Sequence, residues 1–312
     1  MGGRFSVKFP IESFKIIDDS TNIFLVGSCF TENIGTNLAT EGFSTLINPF
    51  GILFNPVSIC HAIEKITENK IYSESDLFRN HENRFVSFDH HGRYSGMDAL
   101  TVINQINQSI QDAREFLLKT DCVFLTLGTS WVYRYLEENR IVANCHKVPG
   151  KHFSKELLDI EVIFAYLKRT MTVLRRLNPE ITIVLTISPV KHLKDGIVEN
   201  QVSKAALILA VHKVIALKES KVFYFPAYEI VTEELRDYRF FESDFAHPNK
   251  LAIDYVWDRF KETCFTLEAM EKSQEAEALH KQLNHRNLHA EGSNENLTQR
   301  IRNYINKYPL RE

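Results

Sequence analysis

The chain has 312 residues, enough for one large domain or two small ones, and its 44% hydrophobic content predicts a folded globule with a buried core. A net charge of −3, with lysine and arginine spread along the length, excludes the basic footprint of a nucleic-acid binder and leaves small molecules and proteins as partners. Cys29, Cys60, Cys122, Cys145 and Cys264 are odd in number, widely spaced and without a C-x-x-C pair, which argues against a disulfide framework or a structural zinc site.

In chain order, NIFLVG (22–27) is an apolar run closed by glycine and predicts a strand. TENIGTNLATEG (31–42) spaces Ile34 and Leu38 four apart and ends on Gly42, as a helix does. FSTLI (43–47) is the next strand candidate. The turn-rich NPFGILFNP (48–56) follows, then VSICHAIEKIT (57–67), helical by Ile59, Ile63 and Ile66. The polar stretch 73–96 is irregular, with one short strand at 84–88, and a long helix covers 98–118. Residues 122–127 and ITIVLTISP (181–189) are apolar runs of the kind buried on both faces of a sheet. Helices are expected at 155–177 and 200–220, a strand at 221–226, a short helix at 227–237 and a closing helix at 249–265.

This alternation implies four or five parallel strands in a three-layer α/β/α sandwich spanning residues 1–265. From 266 the chain is charged and poor in large apolar residues. That predicts two helical tail segments, broken at Gly292–Ser293, packed on the domain and removable without loss of the fold. The opening MGGRFSVKFPIESF lacks a signal-peptide core. No apolar run approaches the ~20 residues of a membrane span, so a soluble, reduced, cytoplasmic setting is expected.

In open parallel sheets, ligands bind beyond the carboxyl ends of the strands. Gly27, Ser28 and Cys29 stand there after the first strand, and Gly128, Thr129, Ser130 and Trp131 after 122–127. Ser188, Pro189, Lys191 and His192 follow the next strand, and Asp244 and His247 come one short helix after the last. The spacing Asp244-x-x-His247 puts a carboxylate and an imidazole on one face of a turn. The carboxylate then orients a ring whose other nitrogen activates a nucleophile. The same pair before a proline also serves as a plain turn cap.

GSCFTEN (27–33) and SDFAHPN (243–249) resemble blocks one and five of the SGNH/GDSL hydrolases. Together with GTSWVY (128–133), NCHK (144–147), SPVKH (188–192) and NQVSKA (200–205), they make the chain resemble the GSCFA-domain family over residues 5–262. The resemblance implies an SGNH-type fold with a parallel, flavodoxin-like sheet. It further implies a hydrolase or acyltransferase acting on an ester-linked acyl group, carbohydrate esters included, through a Cys/Ser–His–Asp arrangement without metal or cofactor. Against G-D-S-x-[ST], GSCFT puts Gly27 on the glycine, Ser28 on the aspartate and Cys29 on the serine nucleophile. That register favours the thiol, and a helix N-terminus lowers a thiol's pKa. The competing reading has Ser28 attack while Cys29 packs inward as a small apolar residue. In both, His247 shuttles the proton and Asp244 orients it.

Two departures from the hydrolase pattern matter. G-x-N-D becomes Gly128-Thr129-Ser130-Trp131, so Ser130 replaces the oxyanion-binding asparagine, and Gly51 is a loose counterpart of the block-two glycine. Oxyanion donors are then expected from the amides of Cys29 and Gly51, with Thr129, Ser130 or Asn144 as side-chain donors. Asn144, His146 and His192 are candidates for substrate contact. Asp89, His90 and His91 have metal-like residue types, but sequential neighbours rarely point at one ion, so an exposed or site-lining loop is expected there. Two other classes stay open: a non-catalytic ligand- or glycan-binding module on the same fold, and a protein-interaction role through the tail.

Overall fold

A computed structural model describes residues 7–286 and 294–309; the break expected at Gly292–Ser293 lies outside the described residues. The first half runs β1 (Asn22–Gly27), α1 (Cys29–Thr40), β2 (Ser44–Ile47), α2 (Pro56–Thr67), β3 (Phe78–Arg79), β4 (Phe85–Val86), α3 (Ala99–Leu118), β5 (Cys122–Leu127), β6 (Trp131–Tyr135) and β7 (Arg140–Val142). The second runs β8 (Phe153–Leu157), α4 (Ile160–Leu177), β9 (Thr182–Ile187), α5 (Ile197–Ile215), β10 (Val222–Phe225), α6 (Ala227–Glu229), α7 (Lys250–Cys264), α8 (Leu267–Arg286) and α9 (Asn294–Lys307).

Five parallel strands form the central sheet in the order β10-β9-β5-β1-β2. Counting only these strands, that is the doubly wound, flavodoxin-like order, with its switch point between β1 and β5. The side-chain period of two divides each strand between two cores. Phe24 and Val26 of β1, with Val123 and Leu125 of β5, pack under α2, α3, α4 and α5. Ile23 and Leu25, with Cys122 and Phe124, pack under α1, α7 and the start of α8. All six residues of β1 and of β5 are buried, and full burial of a side chain such as Phe24 or Leu25 stabilises by roughly 1.5–3 kcal/mol. The chain is therefore a three-layer α/β/α sandwich with a parallel sheet, as the alternation predicts.

The segment between β5 and α4 departs from expectation. Residues 131–157 carry an antiparallel sheet in the order β7-β6-β8, where the sequence suggests a loop and the start of a helix at 155. Asp159 caps α4 by accepting from the Glu161 amide at 2.8 Å, so the helix cannot reach back to 155. α1 likewise starts at Cys29 rather than at 31, because Ser28 is its cap. In the loop 89–91, His90 departs from the expected exposure. His90 is 1% exposed and stacks on Phe50 at 4.3 Å, and burial holds its imidazole down at about 3. Asp89 is paired with Lys65 at 2.6 Å.

In the tail, α8 buries Ala269, Ala276 and Leu279. Lys272 of α8 donates to the Asp19 carbonyl at 2.7 Å, and Tyr304 of α9 to the Glu41 carbonyl at 2.7 Å.

Candidate active site

The carboxyl ends of β1 and β5 meet at the switch point, and Gly27 makes the meeting possible. A Cβ there would lie 2.1 Å from the Thr126 carbonyl oxygen, and φ is +146°, so only glycine fits. Asn48 fixes the same turn: its Oδ1 accepts the Gly27 amide at 2.9 Å, while its own amide donates to Leu25 O at 2.8 Å. The chain then turns at Ser28 into α1. Ser28 is 1% exposed, donates its amide to Thr126 O at 3.2 Å, and accepts the Phe30 amide at Oγ at 3.3 Å. Its hydroxyl is thus occupied as the cap of α1. Cys29, the first residue of the helix, is only partly buried.

The electrostatics of Cys29 correct one expectation. Burial pushes the thiol above its ordinary value, and this outweighs the amides of Cys29 and Phe30, which favour the thiolate. The Glu32 carboxylate adds to the rise and the Lys204 ammonium opposes it.

Asp244 and His247 lie in the loop before α7. Asp244 Oδ2 is 2.6 Å from His247 Nδ1, and Oδ1 accepts the amides of Ala246 at 2.9 Å and His247 at 3.0 Å. These three bonds, the His247 amide foremost, hold the carboxylate down at about 2. Both side chains are about half exposed. The loop is fastened by Glu242 N to His247 O at 2.7 Å, and to the segment after β9 by Lys191 N to Ala246 O at 3.0 Å. Phe245 takes the left-handed conformation, φ +55°. Arg239 pairs with Asp237, two residues before it, at 2.9 Å.

The other expected residues divide by depth. Gly128 sits beneath Phe54 O, with a Cβ there 3.4 Å from His192 Nε2, so Gly128 and His192 share one wall. Thr129 and Ser130 are buried, and both hydroxyls engage Ser203, at 2.9 Å and 3.1 Å. Gly51 has φ +76° and donates its amide to Asn48 O at 2.7 Å. Asn144 Oδ1 accepts the His146 amide at 2.9 Å. His146 is buried, bonded through Nε2 to Ser87 O at 2.7 Å, and burial lowers its pKa. Among the described residues, no group of three or more His, Cys, Asp or Glu side chains is arranged to hold a metal ion, and no helix is long and apolar enough to cross a membrane.

Sequence reasoning misses two residues here. Asn48 is fully buried and fastens Gly27; its signal is an asparagine ahead of Pro49 at the end of a strand. Lys204 is 1% exposed and reaches the carboxyl ends of β5 and β9, donating to Gly128 O and Ser188 O at 2.6 Å each. Its signal is a lysine set among Ser203, Ala205, Ala206 and Leu207 on a helix that otherwise needs only apolar packing.

No curated protein matches the chain. Among solved structures, it is similar to a Streptococcus pneumonia protein named for platelet activating factor, with 12% identity, TM-score 0.41, and coverage of 78% of this chain and 83% of that one. It is also similar to a carbohydrate esterase family 3 protein from Talaromyces cellulolyticus, with 8% identity, TM-score 0.37, and coverage of 78% and 95%. A third is the acetyl xylan esterase Est2A from Butyrivibrio proteoclasticus, with 11% identity, TM-score 0.38, and coverage of 82% and 66%. Likenesses this distant assign no chemistry to the chain. The GSCFA family profile, by contrast, matches residues 22–260, from the first residue of β1 through Gly27–Phe30 and the Asp244–His247 loop into α7, and the chain belongs to the GSCFA family.

Proposed function

We propose that this protein is an SGNH-type ester hydrolase or acyltransferase in which Cys29 attacks the acyl carbon, His247 carries the proton and Asp244 orients His247. The observation that carries the reading is the Asp244–His247 pair. With Asp244 accepting from Nδ1 at 2.6 Å, the neutral ring keeps its proton on that nitrogen and offers Nε2 as the base. Ser28 supports the choice of nucleophile, since its hydroxyl is buried as a helix cap while the thiol is partly open.

In the reaction, the thiol proton moves to His247 Nε2 as sulfur bonds to the acyl carbon and the carbonyl π pair moves onto oxygen. The Cys29 amide at the head of α1 is the donor for that oxyanion, since Ser28 Oγ already accepts the next amide, that of Phe30, at 3.3 Å. Collapse breaks the bond to the alcohol oxygen, which takes the proton from the imidazolium. Water or a second hydroxyl, deprotonated by the same nitrogen, then cleaves the thioester, and the proton returns to sulfur. The substrate class is a small acyl ester, including an acyl group on a carbohydrate hydroxyl.

A binding module without turnover is the second reading. It is favoured by Ser130, whose hydroxyl is committed to Ser203 where the hydrolases place an oxyanion donor, and by the burial that disfavours the thiolate. One experiment separates the two. The purified protein is offered acetyl esters, including acetylated xylo-oligosaccharides, beside Cys29→Ala and His247→Ala. Turnover by the native chain that both variants lose supports the enzyme. Binding of the oligosaccharide without turnover, unchanged in both variants, supports the module.

A further inference from the structure

α5 is apolar on two opposite faces. Leu207, Ala210, Val211 and Val214 are buried in the core beneath the helix. The far side carries Val198, Val202, Ala205, Leu209 and His212, all of them exposed, Val198 at 69% and Leu209 at 56%. Their steps of four, three, four and three keep the five side chains within about 40° of one line along the helix, opposite the buried set. A surface helix ordinarily turns charged residues to water on that side, and a continuous apolar stripe there marks an interaction surface. The apolar surface continues past the start of α5. Trp131 Nε1 donates to Glu199 O at 3.2 Å, and Trp131 stands opposite Leu157 in the small sheet, with Tyr133 two residues along. Leu157 and Tyr133 are exposed as well.

The described ends of the chain lie on the other side of the sheet and leave this stripe open. Lys8 pairs with Glu262 of α7 at 3.1 Å, and Tyr304 of α9 donates to Glu41 O at the end of α1. Alternating steps of three and four form the seam of two helices packed nearly along one another. We infer that this stripe joins two copies of the chain, with α5 antiparallel to α5 of the second copy about a two-fold axis at Ala205. The spacing is symmetric about that residue. Val198 then meets His212 of the second copy, Val202 meets Leu209, and Ala205 meets itself, where a methyl group lets the two backbones approach. The charges fit the same arrangement. Glu199 near the start of α5 and Lys213 near its end are exposed on one flank of the stripe. Antiparallel packing brings Glu199 beside Lys213 of the second copy, whereas parallel packing would set like charges together. Lys213 also pairs with Glu161 of α4 in its own chain, so each rim position gathers two carboxylates around one ammonium. A self-complementary two-fold contact is the commonest way for a chain to associate. The inference holds whether or not Cys29 turns over an ester.

The test is the mass of the full chain in solution, measured by sedimentation equilibrium for the native protein and for Leu209→Lys. The native chain at micromolar concentration is expected to show twice its 36.2 kDa. Leu209→Lys puts an ammonium into the seam from each copy and is expected to weaken association about tenfold or more. A native chain that stays monomeric overturns the inference, as does a Leu209→Lys dimer as tight as the native one. Should Leu209→Lys lose its native circular dichroism, crosslinking decides. Under mild oxidation, Ala205→Cys is expected to link two chains on a non-reducing gel, because the axis brings its two copies within disulfide reach. Val198→Cys is expected not to link, since its two copies stand about 20 Å apart, seven residues to either side of the axis. The native chain with its five cysteines, oxidised in the same way, gives the baseline. Equal linking at both positions, or linking at neither, overturns the antiparallel seam.

Discussion

Asp244 binds His247 twice, through the imidazole Nδ1 at 2.6 Å and through the backbone amide at 3.0 Å, so the carboxylate fixes both the ring and the turn that carries it. The contact predicts a pH dependence. The folded carboxylate is held at about 2, against ~3.9 in an unfolded chain. A depressed folded value means the stabilisation is fully present above about pH 4 and lost as the pH falls through about 2. In urea titrations, the difference in midpoint between the native chain and Asp244→Asn is therefore expected to stay constant from neutral pH to about pH 5, then to close on acidification. The same substitution is expected to lower kcat a hundredfold or more, roughly, by reversing the preferred ring tautomer.

Ser28 and Cys29 are expected to respond to alanine in different assays. Ser28→Ala removes the cap of α1 and costs about 1 kcal/mol of stability, with acyl transfer largely kept. Cys29→Ala is expected to abolish acyl transfer while leaving the urea midpoint close to native. An inactive Ser28→Ala beside a nearly active Cys29→Ala would transfer the nucleophile's role to the serine.

Gly27→Ala is expected to destabilise the whole sandwich. The new Cβ would stand 2.1 Å from Thr126 O, and β1 and β5 must part to admit it. A loss of about 3 kcal/mol or more, the range of severe core and backbone lesions, is expected by urea denaturation, together with loss of activity.

Truncation after Phe265 tests the tail. We expect a chain that keeps its α/β circular dichroism but unfolds at clearly lower urea, by several kcal/mol, because Phe43 and Phe265 lose their cover from α8. Loss of all secondary structure would show that α8 belongs to the domain rather than to an appendage.

Much of this architecture was legible. β1, β5 and β9 are buried on both faces and so read as continuous apolar runs, and the glycine closing β1 marks the turn. β6 and β8 escaped because their sheet is small and partly exposed: WVYRY and FSKEL mix charged and apolar residues, and FSKEL runs straight into the helical spacing of α4. The Asp244–His247 pair could be read because three residues in a turn fix its geometry locally. The depth of Ser130 and the commitment of the Ser28 hydroxyl could not, since both depend on partners placed by packing. Lys204 was hidden for a related reason. A lysine on a helix reads as solvated unless the face it occupies is known.

The strand register carries a consequence for how the protein forms. β1 is central, yet its partner on one side is β5, with Ile23 opposite Cys122, so a loop of about one hundred residues must close before the middle of the sheet exists. Closure of that length costs entropy before any contact repays it, which slows folding relative to a helical protein of equal size. During synthesis, the segment bearing Cys29 leaves the ribosome long before the segment bearing His247. In the mechanism we propose, a nascent chain carries its sulfur without its base until the loop before α7 has emerged.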